Sequence, residues 1–172
     1  MRRIVVIGCL GSGKTTLALR LGQRLALPVV HLDVLFWRPG WTASETPSFR
    51  DRVSQAIAGC AWIVDSSYAT QTFDLSLPRA DAIVFLQRQR WSCLWRLAWR
   101  SIFGRADDSP DLPAGCLEQF DWGLFVQVWR YERVTRKQVE AARRAHGPDV
   151  PVVRLRSDRE VAAILAASSP AT

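Results

Sequence analysis

Residues 4–27 constrain this chain more than any other stretch. A β-branched run, Ile4 to Ile7, leads into Gly8-Cys9-Leu10-Gly11-Ser12-Gly13-Lys14-Thr15-Thr16 and then into a leucine-rich helical segment. The run satisfies G-x-x-x-x-G-K-[ST] at every fixed position, between a strand and a helix. Gly8, Gly11 and Gly13 let the chain turn tightly, so that backbone N–H groups of the loop, Ser12 among them, surround a phosphate. The helix that opens at Lys14, Thr15 and Thr16 adds the positive end of its dipole. Lys14 has the reach and charge for β- and γ-phosphates, and the Thr15 hydroxyl is a ligand for Mg²⁺. The stretch predicts a nucleoside triphosphate site, with ATP and Mg²⁺ as the expected cofactors.

At 172 residues the chain is expected to be one domain, 1–172. No apolar run approaches the roughly 20 residues that span a bilayer. Met1-Arg2-Arg3 looks like the start of a leader, but Ile4 to Ile7 is too short, and cleavage would destroy the phosphate loop. Cys9, Cys60, Cys93 and Cys116 are scattered, without a C-x-x-C pair, and His31 and His146 are the only histidines. Buried thiols in a reducing cytoplasm are expected and a zinc site is not. The net charge is +7 and 21 of the 23 basic side chains are arginine. This balance allows phosphate-rich partners, whether nucleotides or nucleic acid.

Along the chain, Leu17, Leu21 and Leu25 mark the buried stripe of a helix from about Lys14 to Ala26, stopped by Pro28. Val29 to Asp33 reads as a strand ending in a carboxylate, followed by an aromatic loop, Val34 to Trp41, with a Pro39-Gly40 turn. A helix is expected from Thr46-Pro47 to about Ala58. Strands are expected at Ala61 to Asp65 and Asp81 to Leu86, with a short helix near Gln71 to Leu77. From Gln87 to Phe103 the pattern is helical, with Trp91, Trp95 and Trp99 as a seam suited to the core. Ser92, Arg96 and Arg100 form a second row beside it. A loop at Gly104 to Gly115, a long helix from about Phe120 to Ala145, a strand at Val150 to Leu155 and a capped helix opening at Ser157-Asp158-Arg159-Glu160 complete the chain. Strands alternating with helices predict an α/β fold with a parallel sheet covered on both faces. The insertion from Gln87 to Pro148 is much longer than a crossover needs.

These residues resemble the adenylate-kinase-like small P-loop kinases, and within them the bacterial DNA topology modulation (FlaR-related) proteins. The likeness is carried by Gly8 to Thr16, His31-Leu32-Asp33, Leu35 to Trp41, Trp62 to Asp65 with Tyr68, Arg88 to Trp95, and Pro110-Asp111 through Gly115-Cys116 to Phe120-Asp121. One departure stands out: Asp65-Ser66-Ser67-Tyr68 replaces the Asp-Gly-Asn-Tyr usual in that group, so the acceptor pocket or its turn is expected to differ. The resemblance implies a P-loop NTPase, three layers α/β/α, with a five-stranded parallel sheet in the order 2-3-1-4-5. It also implies ATP and Mg²⁺ binding and a helical lid between strands four and five, at about 87–148.

Phosphoryl transfer needs bound phosphates, a metal and cations that meet the developing charge. Lys14 is one such cation, and Arg96 and Arg100, one helical turn apart, are the chosen lid arginines among Arg88, Arg90, Arg96, Arg100 and Arg105. Asp33 and Asp65 stand for two roles, holding Mg²⁺ through its waters or accepting a proton from an acceptor hydroxyl. The resemblance puts Asp65 on the metal side, with Thr15, and Asp33 on the acceptor side. Asp33, Trp37, Trp41, Asp65 and Tyr68 are the candidate acceptor contacts, the aromatic rings as stacking surfaces. His31, inside a strand, reads as structural. The expected activity is transfer of the ATP γ-phosphate to a nucleotide or another small acceptor. The other reading is an ATP-gated regulatory or nucleic-acid-binding protein with little kinase activity. A sugar- or acid-kinase relative differs from the first only in acceptor, and no pattern specific to those acceptors is evident.

Overall fold

The computed structural model describes residues 1–66, 68–103, 122–131 and 134–168. Its first half runs β1 (Arg3–Gly8), α1 (Lys14–Leu25), β2 (Val29–His31), α2 (Leu32–Phe36), β3 (Trp37–Arg38), β4 (Thr42–Ala43), α3 (Thr46–Ala56) and β5 (Trp62–Ser66). There follow α4 (Ala69–Ser76), a 3₁₀ turn at Leu77–Arg79, β6 (Ala82–Leu86), α5 (Arg90–Phe103), α6 (Trp122–Tyr131), α7 (Thr135–His146), β7 (Val152–Leu155) and α8 (Asp158–Ala167).

Successive side chains of a strand point to opposite faces. In β1 both faces are apolar, and Ile4, Val5, Val6 and Ile7 are all buried, as required of a strand covered on both sides. Ile4 and Val6 pack with Ile63, Val84 and Leu86 against Leu17, Ala18 and Leu21 of α1 and Leu165 of α8. Val5 and Ile7 pack with Val64, Ile83 and Phe85 against Phe49, Val53, Phe73 and Val139, from α3, α4 and α7. Two cores therefore lie on either side of one sheet, giving three layers.

That sheet is parallel throughout, in the spatial order β2-β5-β1-β6-β7. Counted by appearance among its own strands, this is the order 2-3-1-4-5. Among the described residues, only the hairpin of the two-residue strands β3 and β4 lies outside it. Asp81 fixes the start of the central strands. Its carboxylate accepts from the Arg2 and Arg3 backbone N–H groups at 2.7 and 3.1 Å and from the Arg3 guanidinium at 2.8 and 3.1 Å.

Several boundaries differ from the sequence reading. The second strand ends at His31, and Asp33 lies in the first turn of α2. Leu32 is 1% exposed, and its burial turns the chain inward before the carboxylate is reached. The stretch 34–41 is the rest of α2 and a hairpin whose bend places Gly40 and Trp41 at φ 73° and 58°. Of the expected helix from Phe120 to Ala145, the described residues form α6 and α7, and residues 120–121 and 132–133 lie outside them. The tryptophan seam faces outward: Trp91, Trp95 and Trp99 are 67%, 68% and 54% exposed. Helix α5 instead buries Cys93 and Leu97, which meet Cys9 of the phosphate loop and Val128 of α6. The tryptophan row and the Cys93–Leu97 row of α5 are both apolar at helical spacing, so periodicity alone does not choose between them; the packing against the loop does. Cys9 and Cys93 are buried free thiols and Cys60 is an exposed one, whereas Cys116 lies outside the described residues.

Candidate active site

The C-terminal ends of β1, β2 and β5 lie side by side, which is where open α/β sheets bind ligands. From β1 the chain enters the phosphate loop, turning on a Ser12 N–H bond to the Cys9 carbonyl at 3.0 Å. Gly11 and Gly13 have φ of 72° and 89°, in the left-handed region that favours glycine. A Cβ at Gly11 would come within 2.4 Å of the Cys93 carbonyl oxygen. The loop is therefore seated on α5 by a contact that glycine permits. Lys14 and Thr15 open α1, with Lys14 buried and Thr16 on its exposed side.

The Thr15 hydroxyl donates to Asp65 Oδ2 at 2.6 Å. The pairing of β2 with β5 sets His31 opposite Asp65, and its Nδ1 lies 3.5 Å from the same oxygen. Asp65 is 3% exposed. Burial alone pushes its carboxyl upward, but the Lys14 charge and the His31 and Thr15 contacts outweigh this and hold it below the usual range. The buried Asp65 Oδ1 has no hydrogen-bond partner, and such an atom calls for a ligand. A loop with two left-handed glycines, a buried lysine, a threonine hydroxyl and an ionised carboxylate with an unpartnered oxygen fits a magnesium–triphosphate. Among the described residues no group of three His, Cys, Asp or Glu side chains is placed to hold a metal alone.

The acceptor candidates form a second cluster. The Tyr68 hydroxyl donates to Asp33 Oδ1 at 2.7 Å. Burial, then the adjacent Asp33 charge, raises the Tyr68 pKa, so the phenol stays a donor at physiological pH. The Tyr68 ring lies 4.6 Å from Phe36 and 5.2 Å from Phe49, centroid to centroid. Phe36 meets Trp37 edge-on at 5.0 Å, and Trp37 meets Trp41 edge-on at 5.5 Å. Trp37 is half-buried in this aromatic row and Trp41, 40% exposed, forms its outer end.

Of the two chosen arginines, Arg96 reaches the phosphate loop, its guanidinium donating to the Ser12 carbonyl at 3.3 Å. Arg100 is on the same helix, but its side chain, like residues 104–121 with Arg105, lies outside the described residues. Two residues beside the site escaped the sequence reading of function. His31 was placed only as structural. Asp158, which binds Arg88 and Arg96, appeared only as part of the Ser157 capping box, a local pattern that says nothing about contacts across the fold.

No protein-family profile matches the chain, and no curated protein resembles it significantly in sequence. Solved structures do share its fold. A gluconokinase from Sinorhizobium meliloti matches with a TM-score of 0.55 and 20% identity, over 96% of this chain and 92% of that one. A sugar kinase from a Janibacter species matches with a TM-score of 0.52 and 18% identity, over 96% and 93%. The chain thus has the fold of the small P-loop kinases.

Proposed function

We propose that this protein is an ATP- and Mg²⁺-dependent phosphotransferase whose acceptor is a small hydroxyl- or phosphate-bearing molecule. One observation carries the reading. Two carboxylates have different partners, Asp65 of β5 bound to Thr15 at the phosphate loop and Asp33, in the first turn of α2, bound to Tyr68. A site that only bound nucleotide would have use for the first and none for the second. Thr15 and Asp65 are the residues that would hold magnesium and its waters, and the metal would supply charge neutralisation for the phosphates there. In the transfer, the bond between the γ-phosphorus and the acceptor oxygen forms as the β–γ bridging bond breaks. ADP leaves, and the acceptor's proton passes to a carboxylate, for which Asp33 is the candidate. Lys14, Arg96 and Arg100 are the cations for the developing charge, and Trp37, Trp41 and Tyr68 wall the acceptor side. Residues 87–148 are the candidate lid. The described residues contain no helix long and apolar enough to cross a membrane.

The test is acceptor-dependent ADP formation from MgATP with nucleoside monophosphates, nucleosides, sugars and sugar acids, the last two because the matching structures are named for such substrates. Lys14→Ala should abolish triphosphate binding while the fold, followed by circular dichroism, persists. Normal ATP binding by that variant would refute the donor site, and a broad panel without turnover would refute the kinase reading.

The exposed tryptophans favour a second reading. Trp91, Trp95 and Trp99, with Arg90 5.1 Å from the Trp129 ring centroid, are a surface suited to stacking bases. That is the chemistry expected of a nucleotide-gated nucleic-acid binder of the DNA topology modulation kind. ATP-dependent, salt-sensitive binding to single-stranded or duplex DNA supports it; its absence near physiological salt removes it.

A further inference from the structure

Two segments distant in the chain, Arg88 to Arg96 and the start of α8, meet at one carboxylate, and Arg96 links it to the phosphate loop. Asp158 is the first residue of α8, and its backbone is held by a reciprocal cap. Ser157 Oγ accepts from Glu160 N–H at 3.2 Å, and the Glu160 carboxylate accepts from Arg156 N–H at 2.8 Å. Both Asp158 oxygens accept from the Arg96 guanidinium, at 3.3 and 3.2 Å. Arg88, whose side chain is 8% exposed, donates to Asp158 Oδ1 and at 3.3 Å to the Arg156 carbonyl. The other terminal nitrogen of Arg96 binds the Ser12 carbonyl, and a Cβ at Gly13 would lie 3.6 Å from it. Arg96 is thus stretched between the phosphate loop and α8, and its far anchor is itself braced by Arg88.

We propose that Asp158 is a positioning residue that holds the Arg96 guanidinium at the mouth of the phosphate loop, ready for the triphosphate. The proposal rests on the loop being a triphosphate site. A free arginine side chain samples many rotamers, and ordering it on binding weakens affinity. Asp158 holds one terminal nitrogen of the guanidinium and the Ser12 carbonyl the other, which restricts that freedom before the ligand arrives. Arg88 keeps the local charge positive: two guanidiniums share one carboxylate, so the pair with Asp158 leaves a net cation facing the phosphates. Asparagine at 158 would keep the shape and lose the grip, whereas glutamate would keep the charge on a longer stem.

The experiment is a double-mutant cycle on nucleotide binding, read by titration with a fluorescent ATP analogue in the presence of Mg²⁺ using the full chain. Asp158→Asn should weaken binding by about 3- to 10-fold, with Asp158→Glu recovering part of the loss. In an Arg96→Gln background, Asp158→Asn should have no further effect. Equal weakening in both backgrounds would mean that Asp158 acts on the fold and not through Arg96, and unchanged affinity in the single variant would mean that it does not act at all. Either overturns the proposal. Failure of the underlying reading is seen separately, as unimpaired binding by Lys14→Ala.

Discussion

Thr15 and Asp65, 50 positions apart in the chain, are joined by a hydrogen bond of 2.6 Å from hydroxyl to carboxylate. The bond ties the first turn of α1 to the end of β5, so the candidate metal side of the site is in place before any ligand binds. Asp65→Asn keeps an acceptor for Thr15 but removes the charge beside Lys14. MgATP affinity should fall about 10- to 100-fold, the usual range for disturbing groups that orient a metal's ligands, while metal-free ATP binding changes far less. Titrations with and without Mg²⁺ check this. Because the Asp65 carboxyl is held below its ordinary range, its share of stability is present above the unfolded value, near pH 4. That share disappears as pH falls through the lower folded value, so wild type and variant should converge in acid.

Tyr68→Phe removes the hydroxyl that donates to Asp33 and keeps the ring among Phe36 and Phe49. We expect a modest loss of stability, about 1 kcal/mol. Once an acceptor is found, kcat/KM for it should fall about 10-fold or more with the KM for ATP unchanged. A larger effect on ATP than on the acceptor would place Tyr68 on the donor side instead.

Gly11 and Gly40 share nearly the same backbone, φ 72° and 73°, but differ in surroundings. A Cβ at Gly40 meets nothing within 4 Å, whereas at Gly11 it meets the Cys93 backbone at 2.4 Å. Gly40→Ala should therefore cost only the left-handed penalty, about 1–2 kcal/mol. Gly11→Ala adds a backbone clash that α5 must move to relieve, and should cost about 3 kcal/mol or more. Urea denaturation of the two variants checks the difference, and equal losses would mean that α5 is not seated on the loop.

Asp81→Ala cuts the link between the starts of β1 and β6. The loss should be about 1–2 kcal/mol at pH 7, reduced from the full value of such bonds because the pair is partly exposed. The backbone N–H of Arg2 lowers the Asp81 pKa most; desolvation opposes it, and the Arg3 contacts add to the lowering. The gap between wild type and variant should thus be present above about pH 4 and close as pH falls through the depressed folded value. Denaturation at pH 7 and at pH 3 checks this; a gap that persists in acid would show that the carboxylate charge is not what stabilises.

The phosphate loop was legible because its chemistry is local. Eight consecutive residues, Gly8 to Thr15, supply the turn, the N–H groups, the cation and the hydroxyl. The strands were legible in hydrophobic runs such as Ile4 to Ile7 and Ala82 to Leu86, which tolerate burial on both faces, whereas their order was implied only by the family likeness. Asp33, Asp65 and Tyr68 were legible as candidates, and the family likeness set Asp65 with Thr15 and Asp33 on the acceptor side; the bond from Tyr68 to Asp33 was not legible, since nothing local ties the two. Helix α5 was misread for a related reason. Trp91, Trp95 and Trp99 have the spacing of a buried seam, yet Cys93 and Leu97 took the inward face because that side fits Cys9 and Val128. By itself, the sequence determined a glycine-rich strand–loop–helix turn on a parallel α/β sheet, because backbone conformation and hydrophobic period are properties of neighbours in the chain. Only the tertiary structure decided that Tyr68 bonds to Asp33, which side of α5 is covered and that Asp158 binds Arg96. Those depend on side chains from distant segments competing for the same space and charge.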